Sequence, residues 1–89
     1  GLVLNNERHE VTIDKQQILL TYKEYELLQY LLINKGIVLG RNSIMDHIWG
    51  LTAEVESRTL DMHIKTLRQK LGDYGSRIKT VRNVGYVFE

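Results

Sequence analysis

The chain has 89 residues, of which 43% are hydrophobic and 26% are charged, with no cysteine and a formal net charge of +1. This length suffices for one small domain with a single core, so we expect residues 1–89 to form one domain. The lack of cysteine excludes disulfides and thiolate metal sites, the lack of a long apolar run excludes a membrane span, and both fit a cytoplasmic protein.

The charge is unevenly distributed along the chain. Residues 1–56 contain five Lys or Arg and eight Asp or Glu, a net charge of −3, whereas residues 57–89 contain seven and three, a net charge of +4. A basic region in an otherwise nearly neutral domain is typical of a protein that binds a polyanion.

Three short strands are predicted at the N-terminus, over residues 2–4, 10–13 and 16–20, because polar turn residues separate these runs. They predict a small antiparallel sheet.

A helix is predicted next, over residues 22–34, with a capping box formed by Thr21 and Glu24. We interpret Glu24 as a cap rather than a catalytic acid, since no second carboxylate or base accompanies it. Helical spacing places four side chains on the buried face: Tyr25, Leu28, Leu31 and Leu32.

Residues 37–39 are predicted to be an extended link, and a second helix begins at residues 41–43 and ends at Gly50. Arg41 at its start is a candidate phosphate contact, together with the free backbone N–H groups of the first turn. Trp49 at its end is more often a core residue than a ligand contact. The loop at 51–56 is acidic and suits either a protein contact or a plain connector.

Residues 57–71 give the strongest helix prediction, since Leu60, Ile64, Leu67 and Leu71 form one apolar stripe and Gly72 follows. The opposite face carries Arg58, Met62, Lys65 and Gln69, with Thr66 beside them. We expect Asp61 to pair with Lys65 or Arg68 on the same helix. A helix with such an outward face suits the major groove of DNA, where these side chains reach base edges.

A hairpin is predicted at the C-terminus, with strands at 78–81 and 86–88 and a four-residue loop at 82–85. It places Lys79, Thr80, Arg82 and Asn83 close together. A hairpin with Arg at its tip, directly after a basic helix, suits a wing that enters the minor groove.

Five motifs lie in one order along the chain: LTxxExxLL from Leu20, GRxxI from Gly40, IWG from Ile48, RTLDMHIxxLRxKL from Arg58 and IxTVRNVGY from Ile78. They resemble the DNA-binding effector domain of the OmpR/PhoB family of bacterial two-component response regulators, over essentially the whole chain. The resemblance implies an α+β winged helix-turn-helix fold with an N-terminal antiparallel sheet of four strands, three helices and a C-terminal β-hairpin wing.

The resemblance also implies partners. The full-length protein is expected to carry a receiver domain, absent from this chain, and to have a cognate histidine kinase. The isolated domain is expected to be monomeric and to bind direct-repeat half-sites of double-stranded DNA. Some members contact RNA polymerase through the segment that corresponds to 51–56.

Site residues follow from both sources. The resemblance implies DNA contacts for Arg58, Thr59, Arg68 and Arg82, and backbone contacts for Arg41 and Trp49. Thr66 stands where some relatives have a base-reading Arg, Met62 where many have Val, and Asn83 where Gly is common. The full set of candidate DNA-binding residues is Arg41, Trp49, Arg58, Thr59, Met62, Lys65, Thr66, Arg68, Gln69, Lys79, Thr80, Arg82 and Asn83.

The sequence therefore predicts a sequence-specific DNA-binding transcription regulator. The alternative is a winged-helix protein-interaction module that does not bind DNA, for which apolar groups would be expected on the outward face. An enzyme, a metal site or a cofactor is not expected, because His9, His47 and His63 lie on separate elements without a catalytic partner.

Overall fold

The computed structural model describes residues 1–50 and 55–89, so most of the predicted loop at 51–56 lies outside the described residues. The elements follow in this order: β1 (Leu2–Asn5), β2 (Glu10–Ile13), β3 (Gln16–Ile18), α1 (Tyr22–Ile33), β4 (Leu39–Gly40), α2 (Arg41–Trp49), α3 (Ser57–Leu71), a 3-10 helix (Gly72–Arg77), β5 (Ile78–Val81) and β6 (Gly85–Phe88). The described part of the chain contains no helix long and apolar enough to cross a membrane.

The N-terminal sheet has the order β1-β2-β3, with antiparallel pairing throughout. Asp14 and Lys15 join β2 to β3, and both have positive φ, 50° and 71°. Two such residues form the tight turn whose twist matches that of a hairpin. The three strands predicted from the residues are confirmed, and the fourth strand implied by the resemblance is not among the described residues.

A second sheet, of order β4-β6-β5, was only partly predicted. The extended link at 37–39 leads into β4, which pairs with β6 through Leu39↔Tyr86 and Gly40↔Gly85. A strand of two residues shows no periodicity, so the sequence does not reveal it. A Cβ atom at Gly85 would collide with the Leu39 carbonyl, which explains why glycine is needed at this crossing.

The helices pack around one core as their periodicity predicts. The capping box of α1 is present, with both reciprocal hydrogen bonds between Thr21 and Glu24. The α3 stripe is fully buried at Leu60, Ile64, Leu67 and Leu71, which confirms the predicted phase of that helix. On α1, Leu27 is also buried, whereas Leu32 is only partly so.

Candidate nucleic-acid interface

The outward face of α3 is exposed as predicted. Arg58, Met62, Lys65 and Gln69 are all exposed, and Met62 keeps 57% of its surface accessible. Successive members stand three or four residues apart, so they form one row along the helix. The row combines positive charge, amide hydrogen-bonding groups and one flexible apolar side chain.

Thr66 does not belong to this exposed row, so its predicted exposure is wrong. The side chain is half-buried, and its hydroxyl donates to Glu24 Oε2 at 2.7 Å. The phase of the helix already places Thr66 at the edge of the row. The nearby buried carboxylate draws its hydroxyl inward, because a buried acceptor left without a donor is costly.

Glu24 is more than a helix cap. It is only 3% exposed, and it accepts hydrogen bonds from the Thr21 N–H at 2.8 Å, from the Thr66 hydroxyl and from Lys70 Nζ at 2.7 Å. Burial by itself raises the pKa of this carboxyl, but the hydrogen bonds from Lys70, Thr66 and Thr21 outweigh burial and lower the pKa from 4.5 to about 2. Glu24 therefore joins the start of α1 to the end of α3.

Arg41 is less available than predicted. Its guanidinium donates to Asp61 Oδ1 at 2.8 Å and to the Ser57 carbonyl at 2.9 Å, while its backbone N–H donates to the Val84 carbonyl at 3.1 Å. The expectation of a free N–H at this residue is therefore wrong. The side chain holds the start of α2 against α3 and is 30% exposed.

Asp61 has different partners from those predicted on its own helix. It binds Arg41 and accepts a hydrogen bond from the Tyr86 hydroxyl at 2.5 Å. The Arg41 hydrogen bond, and next that of Tyr86, lower the pKa of this carboxyl. These tertiary partners replace the predicted pairing with Lys65 or Arg68, since a local i,i+4 pair contributes only about 0.2–0.5 kcal/mol.

Arg68 and Thr80 contact one another. The Arg68 guanidinium donates to the Ile78 carbonyl at 3.0 and 2.7 Å and to the Thr80 hydroxyl at 2.8 Å.

Trp49 is half-buried, with its ring edge-on to His63 at a centroid distance of 5.0 Å. Thr59 is also half-buried, at the first turn of α3.

The wing consists of β5, β6 and the loop between them. Gly85 pairs with Val81, so the loop has three residues, 82–84, rather than the predicted four. Lys79, Arg82 and Asn83 are exposed. Asn83 has a φ of 65°, a conformation that Asn tolerates better than most residues, so Asn suits a turn position that Gly would also fit.

Val84 at the wing tip is 50% exposed, although it was not among the predicted site residues. Its place in the predicted loop at 82–85 is the signal in the sequence that indicates exposure. Its carbonyl holds the Arg41 N–H, which fixes the wing tip beside α2.

Positive charge dominates the exposed side chains of α3 and the wing. Arg58, Lys65, Lys79 and Arg82 are exposed, whereas Asp61 is half-exposed and already paired with Arg41. Such a surface is suited to a polyanion. Among the described residues no group of His, Cys, Asp and Glu is arranged to hold a metal ion.

Comparison with known proteins gives a consistent result. Residues 15–88 match the family described as "Transcriptional regulatory protein, C terminal". The chain is 44% identical to "Response regulator ArlR" of Staphylococcus haemolyticus (strain JCSC1435), in a match that covers 98% of this chain and 41% of that protein. The chain therefore spans less than half the length of this curated relative.

Two solved structures with DNA have the same fold. One is the DNA-binding domain of response regulator AdeR in complex with an intercistronic region, with a TM-score of 0.86, 28% identity, and coverage of 99% of this chain and 92% of that chain. The other is the Klebsiella pneumoniae RstA DNA-binding domain in complex with the RstA box, with a TM-score of 0.85, 29% identity, and coverage of 98% and 89%.

Proposed function

The chain belongs to the transcriptional regulatory C-terminal family of OmpR/PhoB-type response regulators, and we propose that it binds double-stranded DNA in a sequence-specific way to control transcription. The observation that carries this proposal is the exposed row of Arg58, Met62, Lys65 and Gln69 on α3. A helix with this row fits the major groove, and we call α3 the recognition helix from here on.

Within the row, the side chains have different uses. Gln69 matches the paired donor and acceptor of adenine, and Lys65 matches the acceptors of guanine. Met62 suits apolar contact with a thymine methyl group. Arg58, in the first turn, suits a phosphate on the groove edge, where its contact fixes the register of the helix without specifying a base.

The wing supplies the second part of the interface. Arg82 and Asn83 at its tip are exposed, and Lys79 lies on the adjoining strand. With α3 in the major groove, a hairpin alongside it reaches the neighbouring minor groove or its phosphates. Arg82 there gains from the strong negative potential of a narrow A·T-rich groove.

Five of the candidate residues have a supporting role in this proposal. Arg41, Arg68 and Thr80 hold α2, α3 and the wing together, Thr66 holds α3 to α1, and Trp49 packs against His63. These contacts fix the orientation of α3 and of the wing relative to one another. Thr59, half-buried beside Arg58, contributes a hydroxyl at the edge of the surface.

The proposal extends to the longer protein that the relatives suggest. Since this chain spans 41% of ArlR, we propose that it works with a receiver domain and a cognate histidine kinase in the cytoplasm. The isolated domain is proposed to be monomeric and to bind direct repeats. Contact with RNA polymerase through 51–56 remains a proposal that rests on family resemblance.

A test begins with selection of bound duplexes from a random library. Fluorescence anisotropy then compares the selected duplex with a shuffled one over several salt concentrations. We expect tighter binding to the selected duplex and a linear fall of log affinity with log salt. The absence of salt-dependent DNA binding would instead favour the protein-interaction module.

A further inference from the structure

The wing is attached to the recognition helix at two places. Asp61 and Arg68 stand seven residues apart on α3, or about 10 Å along its axis. Each of them contacts the hairpin, Asp61 through Tyr86 on β6 and Arg68 through Ile78 and Thr80 on β5. Pairing with β4 and the hydrogen bond from the Arg41 N–H to Val84 hold the hairpin to the start of α2. The two separated attachments to α3 restrain its direction relative to the recognition helix more than one attachment would.

The first attachment joins three elements. Asp61 Oδ1 accepts from the Tyr86 hydroxyl at 2.5 Å and from Arg41 at 2.8 Å, and Arg41 also binds the Ser57 carbonyl at 2.9 Å. Tyr86 is only 5% exposed, whereas the Asp61 side chain is 50% exposed, so this hydrogen bond is shielded from solvent on the Tyr86 side only. The start of α2, the first half of α3 and strand β6 therefore meet at one carboxylate oxygen.

The second attachment lies next to the first through the sheet. Thr80, which binds Arg68, is directly opposite Tyr86 in the β5–β6 register. The guanidinium carbons of Arg41 and Arg68 lie 6.0 and 5.7 Å from the centre of the Tyr86 ring. The ring is thus close to two cations, an arrangement that cation–π attraction stabilises.

We propose that Asp61 and Tyr86 are positioning residues, which hold the wing beside the recognition helix so that both bind one DNA site as a single rigid surface. This inference rests on the proposed function. A wing that is already ordered in the folded protein loses little conformational entropy on binding DNA. Its contacts therefore add more to affinity than those of a mobile wing would. The arrangement also accounts for an acid on this surface. Asp61 is paired with Arg41 and Tyr86, whereas an unpaired acid beside phosphate would oppose binding.

The test uses Tyr86→Phe, which removes one hydroxyl and leaves the ring and the charge of the surface unchanged. Tyr25→Phe is the matched control, because Tyr25 is 1% exposed and its hydroxyl donates over the same 2.5 Å to Asn6, which lies between β1 and β2 and not on α3 or the wing. Arg82→Ala is then added to the wild type and to each variant, and affinity for the selected duplex is measured.

We expect Arg82→Ala to weaken binding about tenfold in the wild type and in Tyr25→Phe, but only about twofold in Tyr86→Phe. The reason is that a wing no longer held beside α3 has less contact with DNA to lose. A merely structural role for Tyr86 would lower thermal stability and leave the tenfold factor unchanged. Equal factors in all three backgrounds would overturn the positioning role.

Asp61→Ala removes the oxygen that accepts from Arg41 and Tyr86, and gives an independent result that does not depend on the folding of Tyr86→Phe. Removal of a negative charge by itself raises affinity for any DNA. If Asp61 positions the wing, the ratio of affinity for the selected duplex to affinity for the shuffled duplex falls by about tenfold in this variant, despite that general gain. A ratio that stays constant or rises would contradict the inference. Failure of the wild type to prefer the selected duplex would instead contradict the proposed function itself.

Discussion

The Thr66 hydroxyl on the recognition helix donates a hydrogen bond of 2.7 Å to Glu24 on α1, across 42 residues of sequence. Lys70, one turn further along α3, binds the other oxygen of the same carboxylate at 2.7 Å. The recognition helix is therefore held to α1 by a buried charge as well as by its apolar stripe. We therefore expect the removal of the Glu24 charge to lower stability.

Glu24→Gln is expected to lower the free energy of unfolding by about 2–3 kcal/mol, because it weakens hydrogen bonds to a buried charge. Glu26→Gln is the matched control on the same helix. Glu26 pairs with Lys23 at 3.6 Å, and its side chain is 30% exposed, so its loss is expected to cost less than about 1 kcal/mol. Urea denaturation measures the free energy of unfolding of both variants. Equal decreases would show that the hydrogen bonds of Glu24 to Thr66 and Lys70 do not stabilise the fold.

The depressed pKa of Glu24 predicts acid sensitivity. The pKa is about 2 in the folded chain against 4.5 for an unperturbed glutamate, so the folded state favours the charged form. Its contribution, about 3 kcal/mol, is complete above the unfolded value and is lost as pH falls from about 5 towards 2. The difference in unfolding free energy between the wild type and Glu24→Gln should shrink over this range. A constant difference would contradict the assignment.

Ile64 lies in the middle of the buried stripe of α3 and is 1% exposed. Ile64→Ala is expected to cost about 2–5 kcal/mol, through lost burial and the cavity that remains. Met62→Ala, two residues earlier and 57% exposed, is expected to change stability by less than about 0.5 kcal/mol. Denaturant midpoints compare the two variants. Similar midpoints would mean that the helix is rotated from the described orientation.

Binding to direct repeats predicts a dependence on spacing. Two half-sites centred about one helical turn apart place two copies of the domain on the same face of the duplex. We expect tighter binding there than to one half-site. Insertion of about five base pairs moves the second copy to the opposite face and should remove the gain. If affinity is the same before and after insertion, neighbouring copies do not contact one another on DNA.

Local patterns in the sequence were enough to predict the three α-helices and every strand except β4. The spacing of Leu60, Ile64 and Leu67 determined the phase of α3, and Thr21 and Glu24 marked the start of α1. Strand β4 was missed because it has two residues and depends on pairing with β6.

The side-chain partners within the candidate site were mostly not predictable. Asp61 has Lys65 four residues away, yet it binds Arg41 and Tyr86 from other elements. Thr66 turns inward because Glu24, distant in sequence, is buried beside it. Such contacts depend on how helices and hairpin pack, and one sequence alone gives no local pattern for them. Thr66→Ala is therefore expected to lower stability rather than to change base preference.

The central claim is that the exposed row of α3 distinguishes bases. The most direct measurement is the affinity of wild type and Gln69→Ala for a series of duplexes in which each position of the selected site carries each base pair in turn. Gln17→Ala, an exposed glutamine on β3, is the control. The account predicts that Gln69→Ala loses about 1–3 kcal/mol of discrimination at one position and keeps it elsewhere, whereas Gln17→Ala matches the wild type. An unchanged preference at every position in Gln69→Ala would contradict the account.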